Sequence, residues 1–249
     1  MLRRVASLTI AFILGMLLQS PARDAQAGSI KGASLQPMLE VLEKSNLSGS
    51  LEFTGNCDGV LPPDLPPLRT ITGRGGSALQ SLREILRDDH AIRVEQDQTG
   101  KIRMVENDIP TDLLNLKIRH ISFDGTYRSG PESGVYTPNQ ALYVILHVPE
   151  LAAFIKTHDI EILATDSGIS GGAGQLPPDS PHISGSLDDV TLSQALDRVL
   201  ETFPGIWVYQ NCPRKQSYSK LSPWDNRERA VYFRFFYLRK FGAGVFVEG

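Results

Sequence analysis

The sequence is poor in cysteine, with only Cys57 and Cys212 among 249 residues. Neither lies in a Cys-x-x-Cys pair or in a Cys/His spacing typical of a zinc site, which argues against a redox motif and against a metal centre. In an exported protein an isolated pair is typical of a structural disulfide. Two hypotheses follow: a Cys57–Cys212 bond that ties the first half of the chain to the second, or two unpaired thiols.

The sequence has few of the short motifs of common enzyme classes. It has no P-loop and no complete G-x-G-x-x-G. Its G-x-S-x-G match, GISGG at 168–172, lies in the Gly-rich stretch 167–174, which fits a flexible loop better than a nucleophile elbow. Its five histidines are not spaced as metal ligands. The stretch Gly73–Gly76 (GRGG) and the cluster Asp88-Asp89-His90 fit a tight turn and a helix-end loop better than a phosphate site or an acid–base pair. We therefore expect a protein without catalytic residues, cofactor or metal.

Long apolar runs are missing except at the N-terminus. Arg3 and Arg4 precede an apolar run from Val5 to about Leu18, and Ala25-Gln26-Ala27 has the small-x-small pattern of a cleavage site. The run is shorter than the roughly 20 residues of a membrane span. It predicts a signal peptide over residues 1–27, cleaved after Ala27, and a periplasmic protein that does not span the membrane after cleavage. Association with the outer membrane is a further expectation.

An excess of positive charge is also missing. The whole chain carries a net charge of −3, and loss of residues 1–27 removes three arginines and one aspartate, which leaves 22 basic against 27 acidic side chains, or −5. Nucleic-acid-binding proteins usually carry a basic footprint. A nucleic-acid partner is therefore not expected.

The sequence does contain an internal repeat. SALQSLREILRDDHAIRVEQD at 77–97 aligns without a gap with TLSQALDRVLETFPGIWVYQN at 191–211. Ser77 and Thr191 each have a Gln three residues later, the spacing of a capping box. The apolar residues that follow have a helical period, and a period of two then predicts a strand.

The similarity extends upstream of these helices. Residues 34–46 and 148–159 each predict a helix with a proline in its first turn, followed by a short strand and a Gly- and Pro-rich loop. Six further strands complete the two units; they are predicted at 28–33, 68–73 and 101–106 in the first unit and at 141–148, 181–185 and 229–238 in the second. Each unit then has the order strand, helix, strand, strand, helix, strand, strand.

This order of elements, together with the stretches SLQPMLEVLEKSN, TITG and SALQSLREILRDDHAIRVEQDQTGKIRMV, resembles the short N-terminal domain of secretins and TonB-dependent receptors and transducers. The resemblance implies an α+β fold of two related modules, each with two helices packed against short β-sheets. They would span 28–106 and 139–249, with 107–138 as a linker that holds an extra strand within 113–123. It carries over no catalytic residues.

The resemblance implies an exported, non-enzymatic protein–protein interaction module of a cell-envelope assembly, secretion or signalling system. The partner would be a component of an inner- or outer-membrane complex. The alternative is a periplasmic small-ligand or glycan-binding protein that uses the cleft between the modules and the loop around Trp224.

The candidate contact residues are aromatic. Trp207 and Tyr209 align with Arg93 and Glu95 of the first unit, on the face expected to point away from the core, so we predict that they bind the partner, together with Trp224. The aromatic stretch VYFRFFYL at 231–238 predicts a central core strand, with an exposed adhesive surface as the alternative.

Overall fold

The computed structural model describes residues 35–55, 76–87, 90–124, 134–164, 180–213, 229–241 and 244–248. Within these ranges the fold is α+β, as predicted. The predicted signal peptide, the strands expected at 28–33 and 68–73, and the side chains of Cys57 and Trp224 lie outside the described residues.

The described helices are α1 (Gln36–Lys44), α2 (Ala78–Ile85), α3 (Pro138–Leu146), α4 (Pro149–Thr157) and α5 (Leu192–Thr202). The described strands are β1 (Gly49–Thr54), β2 (Ile92–Gln96), β3 (Ile102–Glu106), β4 (Lys117–Ser122), β5 (Ile160–Ala164), β6 (Ser186–Thr191), β7 (Ile206–Pro213), β8 (Arg229–Phe241) and β9 (Gly244–Glu248).

One sheet runs through both halves of the chain, in the order β2-β3-β1-β7-β8-β5, and β9 pairs with the end of β8. In the first half β1 is parallel to β3, and β2 is antiparallel to β3. In the second half β5 is parallel to β8, and β7 is antiparallel to β8. The two triplets thus have the same pairing pattern. They join through the parallel pair β1–β7, in which Gly49 lies opposite Ile206.

The extra strand expected within 113–123 is β4, and it pairs with β6 in a separate two-stranded sheet. The strand expected at 181–185 is misplaced, because only Ile183 forms a β-bridge there and β6 begins after Gly185. Gly185 has φ of 81°, a left-handed conformation that suits glycine. The chain therefore turns at this glycine before the strand rather than after it.

The prediction of a strand at 141–148 is wrong, because these residues form most of α3. Thr137 caps the helix by accepting a hydrogen bond from the Gln140 backbone N–H, and Pro138 occupies the first turn. The Gln140 side chain accepts in return from the Tyr136 N–H at 2.8 Å. A short apolar run fits a buried helix as well as a buried strand, and here the capping residues decide.

The other predicted helices are present. The Leu35, Met38, Leu39 and Leu42 face of α1 is buried, as are Leu82, Ile85 and Leu86 after the Ser77 cap of α2. Helix α5 begins with a complete capping box, in which Thr191 and Gln194 each accept from the other's backbone N–H.

The sheet has an apolar core on each face. Helices α1 and α2 cover one face and helices α3 and α5 cover the other, with α4 packed at its edge. Strand β7 contributes Ile206 and Val208 to the first core and Trp207 and Tyr209 to the second. Each half therefore completes its core with residues of a shared strand.

The aromatic strand β8 lies between β7 and β5 and is buried on both faces, as the prediction of a central core strand requires. Phe236 belongs to the α1/α2 core, whereas Phe233 and Phe235 belong to the other.

Candidate functional site

Trp207 and Tyr209, the predicted contact residues, are core residues with 1% and 0% exposure. In the first half Val94 faces α2, but in the second half Trp207 and Tyr209, rather than Val208, face α5. The gapless alignment pairs Val94 with Val208, but in the structure the residues that face the helix of the second unit are the neighbours of Val208. The faces of the two strands therefore differ by one residue from the alignment. Since a shift of one residue exchanges the two faces of a strand, the expected surface position of these aromatics is corrected to a buried one.

Trp207 belongs to a buried polar network at the junction of the two halves. Its indole Nε1 donates to Asp197 Oδ1 at 2.8 Å, and Arg103 Nη2 donates to Asp197 Oδ2 at 2.5 Å. The guanidinium carbon of Arg103 lies 5.2 Å from the Trp207 ring centroid. On β1, Ser50 donates to Glu52 Oε1 at 2.6 Å and accepts from Arg103 at 3.2 Å.

Both carboxylates of this network have raised pKa values. Burial raises the pKa of Glu52, against the opposing effects of the Ser50 hydrogen bond and the Arg103 charge. Burial likewise raises the pKa of Asp197, opposed by Arg103 and the Trp207 hydrogen bond. Both groups are buried with their partners at the junction of the two halves and lie out of reach of a substrate in solution.

A second polar cluster holds the segment before β4 against the sheet. Arg229 Nη1 and Nη2 donate to the two carboxylate oxygens of Asp112 at 2.8 and 3.0 Å, and Arg229 also donates to the Tyr209 hydroxyl at 2.6 Å. The Tyr209 hydroxyl donates to the Pro110 carbonyl at 3.2 Å. Burial raises the pKa of Tyr209 to about 12, so the phenol stays protonated and keeps this bond.

The position of Cys212 supports the proposed bond to Cys57. Thr54 pairs with Asn211 in the β1–β7 ladder, and the Gly55 N–H donates to the Asn211 carbonyl at 2.9 Å. The chain therefore runs beside Cys212 only two residues before Cys57. The part of the chain that the structure describes contains no free cysteine.

A groove of about 500 Å³ lies between α2 and the outer edge of β2, and we call it the β2 groove. It is lined by Arg83, Leu86, Arg87, His90, Ile92, Arg93, Val94 and Glu95. Leu86 and Val94 are buried and Ile92 is half-buried, so an apolar floor lies beneath exposed charged side chains.

Strand β2 presents backbone hydrogen-bonding groups to this groove. The pairs Ala91–Asn107 and Asp97–Lys101 are bonded across the β2–β3 ladder, so the odd-numbered residues of β2 bond to β3. The N–H and C=O groups of Ile92, Val94 and Gln96 therefore point away from β3. Among the described residues, β2 is the outermost strand on this side of the sheet.

Arg83 covers the middle of this edge. Its Nε and Nη2 both donate to the Val94 carbonyl, each at 3.1 Å. A side chain that occupies an edge carbonyl limits unwanted pairing with other strands. Arg83 extends from α2, so the side chain that covers the Val94 carbonyl belongs to the helix on the opposite wall of the groove.

The β2 groove carries positive charge in an acidic protein. Among its described lining residues are three arginines and one glutamate, whereas the whole chain has a net charge of −3. Arg87 is paired with Glu84 at 2.7 Å. Arg93 is exposed and forms no ion pair with any described residue. Arg83 and Arg93 are therefore the cations available to a ligand.

The described residues contain no cluster of three or more metal-ligating side chains. No helix in the described ranges is both long enough and apolar enough to cross a membrane. No family model, curated protein or solved structure matches the chain.

Proposed function

We propose that the protein is an exported, non-enzymatic protein–protein interaction module of a cell-envelope assembly, secretion or signalling system, and that it contacts its partner through the β2 groove. The observation that carries this proposal is the coincidence, at one place, of outward-facing strand backbone groups, an apolar floor and two available arginines. Exposed edges of this kind pair with extended segments of other proteins.

The sequence supports the location and class of this function. The pattern at residues 1–27 predicts export to the periplasm. The resemblance to the short N-terminal domain of secretins and TonB-dependent receptors suggests that the partner is an inner- or outer-membrane complex component.

The alternative of glycan or small-ligand binding relied on a cleft between two modules. In the described residues the halves meet through the hydrogen-bonded pair β1–β7, and the side chains at this junction, such as Glu52 and Trp207, are buried. This packing favours the interaction hypothesis over the cleft hypothesis.

Capture from a solubilised envelope fraction tests the proposal. The mature protein should retain one or more envelope proteins reproducibly, and Arg93→Glu should reduce the capture because it reverses the exposed charge of the groove. Lys156→Glu, which makes the same charge change at an exposed position on α4, is the matched control. Equal capture by wild type and both variants would place the contact elsewhere.

A further inference from the structure

We propose that the β2 groove binds an acidic, extended peptide segment of the partner by strand addition, and that Arg83 leaves the Val94 carbonyl to bind a carboxylate of that segment. This inference rests on the proposed function and specifies its binding mode. Its basis is the geometry of the β2 edge and the charge of the groove, so it predicts a recognisable ligand chemistry.

The backbone supplies the pairing groups. Ile92, Val94 and Gln96 alternate along the edge of β2 that no described strand pairs with, and their N–H and C=O groups are directed toward the groove. An added strand satisfies such groups with its own backbone, whatever its side chains. The Val94 carbonyl is already bonded, which shows that this edge accepts hydrogen bonds from donors on the groove side.

The two arginines of the groove favour an acidic peptide segment. Arg83 stands on the helix side of the groove and Arg93 on the strand side, so a segment lying between them has cations on both of its faces. A planar guanidinium binds a carboxylate in bidentate fashion. Glu95, the carboxylate among the described lining residues, disfavours an uninterrupted acidic run, and the floor of Leu86, Ile92 and Val94 favours apolar residues between the acids. Because successive side chains of an extended strand point to opposite faces, the expected segment has an acidic residue on each face, one for Arg83 and one for Arg93, and apolar residues at its other positions over the floor.

Strand addition at this edge exchanges one bond for another at Val94. Before binding, Arg83 satisfies the carbonyl. On binding, a backbone N–H of the segment donates to it, and the Arg83 guanidinium pairs with an acidic side chain. Arg83 thus protects the edge in the free protein and contributes to affinity in the complex.

The test uses the full mature protein and a random twelve-residue peptide display library, with peptides retained by Arg93→Glu discarded. The enriched peptides should share two acidic residues an odd number of positions apart, which lie on opposite faces of an extended strand, together with apolar residues. A synthetic copy of one of them should bind at least about tenfold more weakly to Arg93→Glu than to wild type, and Lys156→Glu should bind like wild type.

Backbone methylation separates strand addition from simple charge attraction. Two versions of the peptide are compared, one N-methylated at the odd-numbered amides and the other at the even-numbered amides. One version should lose binding and the other should keep it, because only one of these two sets of N–H groups faces β2. Failure to enrich any peptide, enrichment without acidic residues, or equal tolerance of both methylated peptides would overturn the inference.

Two further outcomes would also overturn it. Self-association of the free protein that is lost in Arg93→Glu would show that a second copy occupies the edge. Envelope-protein capture that depends on Arg93 but is unaffected by an excess of the selected peptide would refute the acidic-strand ligand while leaving the proposed function in place.

Discussion

Asp197 on α5 accepts a hydrogen bond from the indole of Trp207 on β7 at 2.8 Å, and both side chains are buried. The other oxygen of the same carboxylate accepts from Arg103, which belongs to β3 in the first half of the chain. One carboxylate therefore connects a helix and a strand of the second half to a strand of the first. We therefore expect the two halves to unfold together.

Replacing Asp197 should destabilise the whole protein. Asp197→Ala leaves the Trp207 N–H and one arm of Arg103 without their acceptor in a buried site, so we expect a loss of about 2 kcal/mol or more in the free energy of unfolding. Urea denaturation measures it. The matched control is Asp188→Ala, whose carboxylate is 67% exposed and bonds to His120, and which should cost less than about 0.5 kcal/mol. Equal costs for the two variants would contradict a structural role of the network.

Glu52 should make stability depend on pH in a direction opposite to that of most carboxylates. Because burial raises its folded-state pKa above 4.5, the folded protein holds this proton more tightly than the unfolded chain. Its contribution to stability is present below the unfolded pKa and is lost as the pH rises through the folded pKa. Glu52→Gln, which cannot ionise, should therefore gain stability relative to wild type between pH 4 and pH 8.

Asp112→Asn is the control, because the pKa of Asp112 is lowered in the folded protein and its effect on stability should change with pH in the opposite direction to that of Glu52. Burial acts to raise the pKa of Asp112, but the hydrogen bonds and charge of Arg229 outweigh it and lower the pKa. The variant should be less stable than wild type at pH 7, and the difference should shrink as the pH falls through the folded pKa. Denaturation midpoints measured across the pH range check both signs; parallel curves for the two variants would contradict the assignments.

A cavity in β7 should loosen the helices of the first half. Val208 packs with α1 and α2, so Val208→Ala should cost about 2 kcal/mol and speed amide exchange at Met38 and Leu82. Val190→Ala, in the separate β4–β6 sheet, is the control and should leave α1 and α2 exchange at its wild-type rate. If Val208→Ala changed exchange only in the second half, the two halves would be independent.

The proposed Cys57–Cys212 disulfide should be found by peptide mapping under non-reducing conditions in protein isolated from the periplasm. A bond closing so long a loop has an ideal stabilisation of about 4–5 kcal/mol, so Cys57→Ser should lower the denaturation midpoint. Recovery of Cys57 and Cys212 as two free thiols would contradict the bond.

The sequence predicts correctly those helices and strands that are determined by residues close to one another in the chain. The capping residues and apolar period indicate α2 and α5, the period of two indicates β2, and the turn at Gln98–Gly100 indicates its hairpin partner β3, because these patterns act within a few residues. The apolar run at 141–148 predicts a strand from hydrophobicity alone, which does not separate a strand from a helix. Thr137, Pro138 and Gln140, which have the residue types of a helix start, are the signal for α3.

The candidate site was not predictable, because it depends on contacts between distant parts of the chain. The faces of β7 depend on how that strand packs against α5 and α1, and a shift of one residue moved Trp207 and Tyr209 from the expected surface to the core. The sequence also does not reveal that β2 is the outermost described strand on its side of the sheet, since strand order is set by pairing between segments far apart.

Amide hydrogen exchange of the protein bound to its captured partner shows whether the partner adds to the edge of β2. Binding should protect the amides of Ile92, Val94 and Gln96, which point toward the groove, and should leave the exposed helix surface around Tyr143 unchanged. Protection around Tyr143 with unchanged exchange along β2 would contradict the account.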